Sequence, residues 1–430
     1  MKCLEQQRCT TTVFRLVWVG LFALAMFAAQ LAPAQTFSVI HTFTGAGDGG
    51  IPGPALLMDR AGNFYGTTQY GGRANQGVVW KLVHRGSGWV VEQLYTFSGE
   101  EGSQPDDLVM GPDGNLYGTN QHGGDGFGTV FELTPPATVC KSISCPWSAT
   151  VLYRFTGQSD GSQPIGLVVD HSGNLYGTTL YGGDQHSPCL GDCGVVFELS
   201  RSSGGWTESV LHAFTDGDDG GYPQSKPALD AAGNLYGTTE GGGNSGDCFL
   251  GCGVVYELSP SGSGWNETTL YNFRIQPDSN YPGGGVIFDS LGNLYSTAVD
   301  GGASGWGTVF SLSPASGGWT ENILYSFTGA YGDEYPFRGS LLMDSAGNLW
   351  GTTPGRNGDP PYGNVFELSP SGGGWTYNSL YSFADGPDGA APQGTLVMDS
   401  SGNLYGTAPY GGAFRNSCSL GCGTVWEITP

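Results

Sequence analysis

The sequence predicts an all-β protein, a β-propeller of seven four-stranded antiparallel blades closed into a ring by the N-terminal strand. Three observations predict it. A glycine-led segment recurs seven times along the 430 residues, beginning at Gly62, Gly114, Gly173, Gly233, Gly292, Gly347 and Gly402, at spacings of 52, 59, 60, 59, 55 and 55 residues. A period of that size means one supersecondary unit repeated. Each unit holds four short runs rich in β-branched and aromatic residues, bounded by turn formers. Beyond the N-terminus no long stretch has helical periodicity. The third observation is a displaced strand. Seven first-strand runs and seven third-strand runs are matched by only six Trp-led fourth strands, and the missing one stands at the other end of the chain as Phe37–Thr44. A closed ring accounts for that displacement, because the N-terminal strand completes the sheet begun by the last three.

Residues 1–34 read as a signal peptide. Lys2, Arg8 and Arg15 make a positive start, Leu16 to Leu31 is almost wholly apolar, and Ala32-Pro33-Ala34 fits a small-x-small cleavage site. An uncleaved anchor is the rival reading. No cysteine stands where lipid modification needs one, and nothing else is long and apolar enough to span a bilayer. Residues 35–430 form the propeller, with blades at about 55–97, 107–155, 166–214, 226–273, 285–327, 340–383, and 395–430 plus 36–44.

Within a unit, the first strand is an apolar run ending in Asp, as in Leu341-Leu342-Met343-Asp344. The Asp-x-x-Gly-Asn link that follows suits a tight hairpin: Asp at the first position of a type I turn, Gly supplying the positive φ that lets the hairpin close with a bulge. A calcium reading of these aspartates is open but unneeded, since the turn explains their spacing. The second strand, Leu-Tyr-Gly-Thr, places Gly at its centre, where the neighbouring blade is expected to approach. The third is Val195-Val196-Phe197-Glu198-Leu199 and its equivalents. The fourth alternates from a Trp, as in Trp319 to Phe327. The Tyr and Trp series reads as core.

Removing the signal leaves twelve basic against thirty-seven acidic side chains, a net charge of −25, in a chain with 76 glycines overall. So acidic a protein is not expected to bind nucleic acid or an anionic membrane surface, and without a further apolar span no membrane insertion is expected once the signal is cleaved. The mature chain keeps eight cysteines in four close pairs: Cys140 with Cys145, Cys189 with Cys193, Cys248 with Cys252, and Cys418 with Cys422. In an exported protein these read as local disulfides, with cross-loop pairing and metal binding as alternatives.

The repeated GNLYGTT…GTVFELSP…GWTE..LYSFTG pattern resembles the GloVer tandem repeat of exported bacterial proteins, and more distantly NHL-type propeller repeats. It covers essentially the whole mature chain. The resemblance implies export and a repeat fold, and implies no catalytic residues. The chain ends on its last strand, without the sorting tail or barrel expected of anchored members.

Chemistry is expected on the face that carries the second-to-third and fourth-to-first loops, because those loops vary and loops on a rigid frame are where recognition sits. Candidate ligand-binding residues are Tyr70, Tyr181, Tyr410, Asp216, Asp218 and Asp219, biased toward the Cys-clipped loops. An acidic rim with tyrosines suits sugars, cationic peptides or Ca²⁺; the plain alternative is a solvated acidic surface. No catalytic residue and no metal ligand is assigned, and no cofactor is expected unless Ca²⁺ binds. The function read from this is a secreted binding or scaffold module, extracellular, periplasmic or at the cell surface. Its ligand would be a glycan or a protein, and it would act as a monomer. A carbohydrate-active hydrolase or lyase using rim carboxylates, and a structural envelope component, are the alternatives. A glycosidase needs one asymmetric carboxylate pair, whereas these acids recur blade after blade.

Overall fold

A computed structural model describes residues 35–136, 147–183, 189, 193–244, 248–262, 264–275, 278–330, 332–336, 339–355, 362–415 and 417–430. The signal segment lies outside them. So does the bridge expected between Cys140 and Cys145. One compact unit runs Phe37–Ile428; the other comprises residues 1–36 and 429–430, in which Thr36 and Thr429 share a hydroxyl hydrogen bond of 2.5 Å.

The described chain is all β, in seven antiparallel sheets. Blade 3 shows the pattern: Ser162–Val169, Leu175–Tyr181, Val195–Ser202 and Gly205–Ala213, each strand beside the next. Blade 5 departs slightly, since its first strand is split into Ser279–Pro282 and Ile287–Phe288, both paired with Leu294–Gly301. Blade 7 is drawn from both ends of the chain: Val397–Met398, Leu404–Ala408, Thr424–Thr429 and then Thr36–Thr42 as the outer strand. The ring closes as the strand count requires.

The Asp-x-x-Gly-Asn turn is held by its own aspartate. Asp59 Oδ1 accepts the backbone N–H of Ala61 and Asn63, while Oδ2 accepts from the Asn63 amide and the Tyr65 hydroxyl. Gly62 sits at φ 79°, the conformation the turn demands. The same bonds recur at Asp170, Asp230, Asp289 and Asp399. The strand-two tyrosines are therefore core with a polar anchor. Tyr176 is buried, and its hydroxyl reaches both Asp170 and Glu198. The Trp residues that open the outer strands are only half-buried. Trp89, Trp206 and Trp265 lie edge-on to the strand-two tyrosine of the preceding blade, as Trp206 does to Tyr117 at 5.9 Å.

The glycine at the centre of strand two does a different job from the one its position suggested. A Cβ on Gly177 would fall 2.6 Å from Phe197 Cζ, and one on Gly406 would fall 2.3 Å from Trp426 Cζ2. These rings belong to strand three of the same blade, not to the neighbouring blade. The glycine is a slot for its own sheet's aromatic.

Blades meet at a joint used seven times. Ile51, Gln104, Gln163, Tyr222, Tyr281, Tyr335 and Ala391 all lie at φ 53–59°, each followed by proline. Each donates its N–H to a carbonyl of the preceding blade at 2.7–3.1 Å. A non-glycine residue in this region costs about 1–2 kcal/mol, which the cross-blade hydrogen bond and the proline packing offset. The following proline ring lies against the glycine that opens strand three of the preceding blade, so a Cβ on Gly77, Gly253 or Gly423 would sit 2.4–2.6 Å from Cδ of Pro105, Pro282 or Pro52. The carbonyls of those glycines accept from the buried phenylalanine that ends each outer strand, including Phe43. Each such phenylalanine then packs on a strand-three aromatic of the next blade, with ring centroids 5.0–5.8 Å apart.

Candidate functional site

First strands converge on the axis, and there the ring is shut. Asp107 and Lys226 occupy equivalent places in blades 2 and 4 and form an ion pair of 3.3 Å. Asp107 also accepts the N–H of Leu108 and Leu167. The space left among Pro54, Asp106, Gly166, Lys226, Ser340 and Thr395 is about 30 Å³, room for a water or two. That is too little for a ligand to thread the axis.

Most of the rim acids turn out to be staples for the fourth-to-first loops. Asp219 accepts from His212 Nε2 at 3.0 Å and from the Thr215 N–H and hydroxyl. Burial opposes its charge, yet the bonds from His212 and Thr215 hold its carboxyl below the usual range. Asp48 repeats this with His41 and Thr44, Asp160 with Tyr153 and Thr156, and Asp388 with Tyr381 and Ala384. A carboxylate filled by local donors has little left for a ligand. Of the other two candidate acids, Asp218 is exposed and its carbonyl accepts from Thr269. Asp216 lies at φ 61°, and its carboxyl is pushed up by burial and then by the charge of Asp219.

The tyrosines fare differently. A cavity of about 280 Å³ opens on the loop face across blades 3 to 5, lined by Leu180, Tyr181, Tyr222, Gln224, Glu240, Gly241, Leu250 and Tyr281. Tyr181 and Tyr222 meet edge to face at 6.1 Å. The Gln224 amide donates to the Glu240 carboxylate. Burial pushes the Tyr281 phenol up, with Asp300 and Glu240 adding to it. Tyr222 and Tyr281 are joint residues, so their backbones are set by the frame. Each donates to the second cysteine of a clipped loop, Tyr222 to Cys193 at 2.8 Å and Tyr281 to Cys252 at 3.0 Å. Those cysteines are bonded to Cys189 and Cys248, with Cα separations of 5.4 and 5.2 Å; Cys418–Cys422 is the third bridge. Cys140 and Cys145, the fourth expected pair, lie outside the described residues. The disulfides of blades 3 and 4 thus fix the carbonyls that hold two of the three rings.

Sequence reasoning missed Tyr222, Tyr281, Gln224 and Glu240, although the tyrosine-proline pairs were visible. Tyr70 stands apart, exposed at the end of its strand, where its hydroxyl accepts from Gln104 at 3.4 Å. Tyr410 lines a separate cleft of about 50 Å³ with Ile51, Gln69 and Gln393. The structure therefore brings together Tyr181 with unforeseen neighbours, and not the three candidate tyrosines with one another. Among the described residues no group of three or more His, Cys, Asp or Glu is placed to hold a metal ion, and no helix is long and apolar enough to cross a membrane.

Fold and rim define a seven-bladed propeller with constant sheets and a variable, tyrosine-lined loop face. The chain belongs to the Gloeobacter/Verrucomicrobia repeat family, whose model matches residues 26–250 and 246–430. No curated protein sequence matches it. Among solved structures it is similar to a candidate 6-phosphogluconolactonase from Bacteroides uniformis, at 12% identity and TM-score 0.51, over 80% of this chain and 87% of that one. A gluconolactonase from Xanthomonas campestris aligns at 14% identity and TM-score 0.42, over 94% and 92%. A candidate glucose dehydrogenase from Thermus thermophilus aligns at 13% and 0.44, over 92% and 99%. At such identities the likeness is one of fold.

Proposed function

We propose that this is an exported binding module, its leader removed near residue 34, that captures an extracellular saccharide in the tyrosine cavity of blades 3 to 5. The observation that carries the reading is the cavity's lining. Three phenol rings offer apolar faces with polar tips, and the Gln224–Glu240 pair offers a planar amide and carboxylate to ring hydroxyls. A largely preformed concave site with a few convergent polar groups is what small-molecule recognition requires. The clipped loops favour binding further, because a loop already ordered loses less entropy when the ligand arrives.

The test is a glycan array followed by calorimetry on residues 35–430. Tyr222→Ala and Tyr281→Ala are suitable variants, since Ala391 already holds the equivalent left-handed position in blade 7. We expect each, and Tyr181→Ala, to weaken saccharide binding at least tenfold with the melting temperature retained. An array blank for every glycan, or affinity surviving all three substitutions, overturns the reading. Turnover of a bound oligosaccharide would instead make the site an enzyme's.

A further inference from the structure

We infer that the joint between blades 5 and 6 holds a second, independent site, for a small neutral polyhydroxylated molecule such as a single pyranose. The place is a cavity of about 340 Å³ at the outer edge of the loop face, with Tyr325, Asp333, Asn364, Tyr377, Ser379 and Ser382 in its wall. Two of its polar groups have no partner. Asn364 is fully buried and donates its amide hydrogens to Ser379 Oγ at 2.6 Å and Ser382 Oγ at 2.9 Å, which leaves Oδ1 without a donor. The buried Tyr377 hydroxyl likewise has no hydrogen-bond partner. Buried polar groups are ordinarily hydrogen-bonded, so an occupant is expected.

This joint is built differently from its equivalents. The loop runs five residues from Thr328 to Asp333, where blades 2 and 3 use four, from Thr156 to Asp160 and from Thr215 to Asp219. The staple loosens accordingly. The threonine hydroxyl lies 2.6 Å from Asp160 and 2.5 Å from Asp219 but 3.1 Å from Asp333. Asp333 is 4% exposed and is held by the Tyr325 hydroxyl at 3.3 Å and by the Thr328 N–H and hydroxyl at 3.1–3.4 Å, so it brings a negative charge to the wall rather than a free acceptor. Opposite it, Tyr377 stacks on Tyr325 at 4.2 Å, where blade 7 places Phe37 against Tyr381 at 3.7 Å. Of Tyr377 and Phe37, Tyr377 alone carries a hydroxyl.

The class of ligand follows from the wall's balance of donors and acceptors. Asn364 Oδ1 wants a hydrogen bond donated to it. Ser379 and Ser382 accept from Asn364 and so keep their own protons to donate, as does Tyr377. Adjacent ligand hydroxyls satisfy both kinds at once. An ammonium group supplies donors alone, and an anion meets the Asp333 carboxylate.

The experiment is saturation-transfer NMR on residues 35–430 with D-glucose, D-galactose, D-mannose and N-acetyl-D-glucosamine, and with tetramethylammonium as the cationic control. Tyr377→Phe and Asn364→Thr are the diagnostic variants. Each restores a residue type found at the same place elsewhere in the ring, Phe37 for the first and Thr308 or Thr424 for the second, so folding is retained. We expect saturable transfer from at least one sugar, weakened tenfold or more by each variant and unchanged in Tyr181→Ala, which lies in the other cavity. A transfer signal lost only in Tyr181→Ala would overturn this site while leaving the first intact. Silence from all four sugars, meaning the cavity holds water alone, would also overturn it, as would equal saturation of tetramethylammonium.

Discussion

Replacing Gly253 by Ala probes whether the glycine-proline joint holds the ring together. Gly253 lies at φ 85°, and a Cβ there would come 2.3 Å from Thr239 O and 2.6 Å from Pro282 Cδ. Both obstacles are backbone or ring, with no flexible end to swing aside. The left-handed conformation costs about 1 kcal/mol for alanine, and forcing a methyl between two blades adds about 2 kcal/mol. The control is Gly292→Ala, at φ 82° with nothing within 4 Å, which carries only the first cost. With an unfolding entropy of about 2.1 cal/mol/K per residue, a body of this size loses about 4 °C in the first case and about 1 °C in the second. Calorimetry and urea titration, run in parallel, read the difference. The double variant Gly253→Ala/Pro282→Ala should regain part of the loss, because the alanine at 282 frees the space of Cδ. If Gly253→Ala melts with Gly292→Ala, the joint bears no steric load and the account of the ring is wrong.

Three further outcomes are expected. Deleting residues 35–44 bares the edge of Thr424–Thr429 and should drive aggregation on size-exclusion chromatography; a monomer with unchanged melting would refute the latch. Protein from an oxidising compartment should show no free thiol at Cys189, Cys193, Cys248, Cys252, Cys418 or Cys422 by peptide mapping, and reduction should remove about 2 kcal/mol per five-residue loop. Stability should rise as pH falls from 8 to 5. Burial, with Asp160 near one and Asp278 near the other, pushes the carboxyls of Glu208 and Glu321 up to about 7 from 4.5. A carboxyl raised on folding contributes its stability below 4.5 and loses it as pH climbs through 7. The more deeply buried Glu321 should account for about 2 kcal/mol of this. Urea midpoints at pH 5 and 8 check it, and Glu321→Gln should flatten the dependence. The staple and turn acids, whose carboxyls sit low, bring stability down again only below about pH 4.

Architecture was legible because strand, turn and register each leave a local mark. The aspartate turn needs only Asp, Gly and Asn in order, and the borrowed strand shows as a deficit of one. The joint left an equally regular mark, a proline six to eight residues before each turn, but its meaning needs two blades at once. No single repeat shows that Pro282 lies on Gly253. Rim acids misled for a related reason. Read as surface charge, Asp219 looks available, and only the loop's closure turns His212 and Thr215 onto it. The pairing was implicit in the Thr-x-x-x-Asp spacing shared by Thr44/Asp48 and Thr156/Asp160. The cavity was the least legible feature. Tyr222 and Tyr281 lie in the first and second blades after that of Tyr181, and what gathers them is the ring.

A frame that repeats one joint seven times also separates what supports from what recognises. Any feature found at all seven joints is explained by closure, so the left-handed conformation, the proline and the buried phenylalanine carry no ligand information. What remains is whatever breaks the sevenfold pattern. Along the left-handed position, tyrosine occurs in consecutive blades at 222, 281 and 335, and nowhere else. Clipped loops precede the first two. At the outer edge, the residue facing the preceding blade is Glu208, Glu267 or Glu321 in blades 3 to 5 and then Tyr377, beside the lengthened Asp333 loop. Both departures fall on the half of the ring running from blade 3 to blade 6. The opposite half carries Val91, Ala149 and Phe37 at that outer place, each packed against an apolar cluster. The two proposed sites therefore share one arc of this ring, and exchanging the blades of that arc should abolish both without rebuilding the frame.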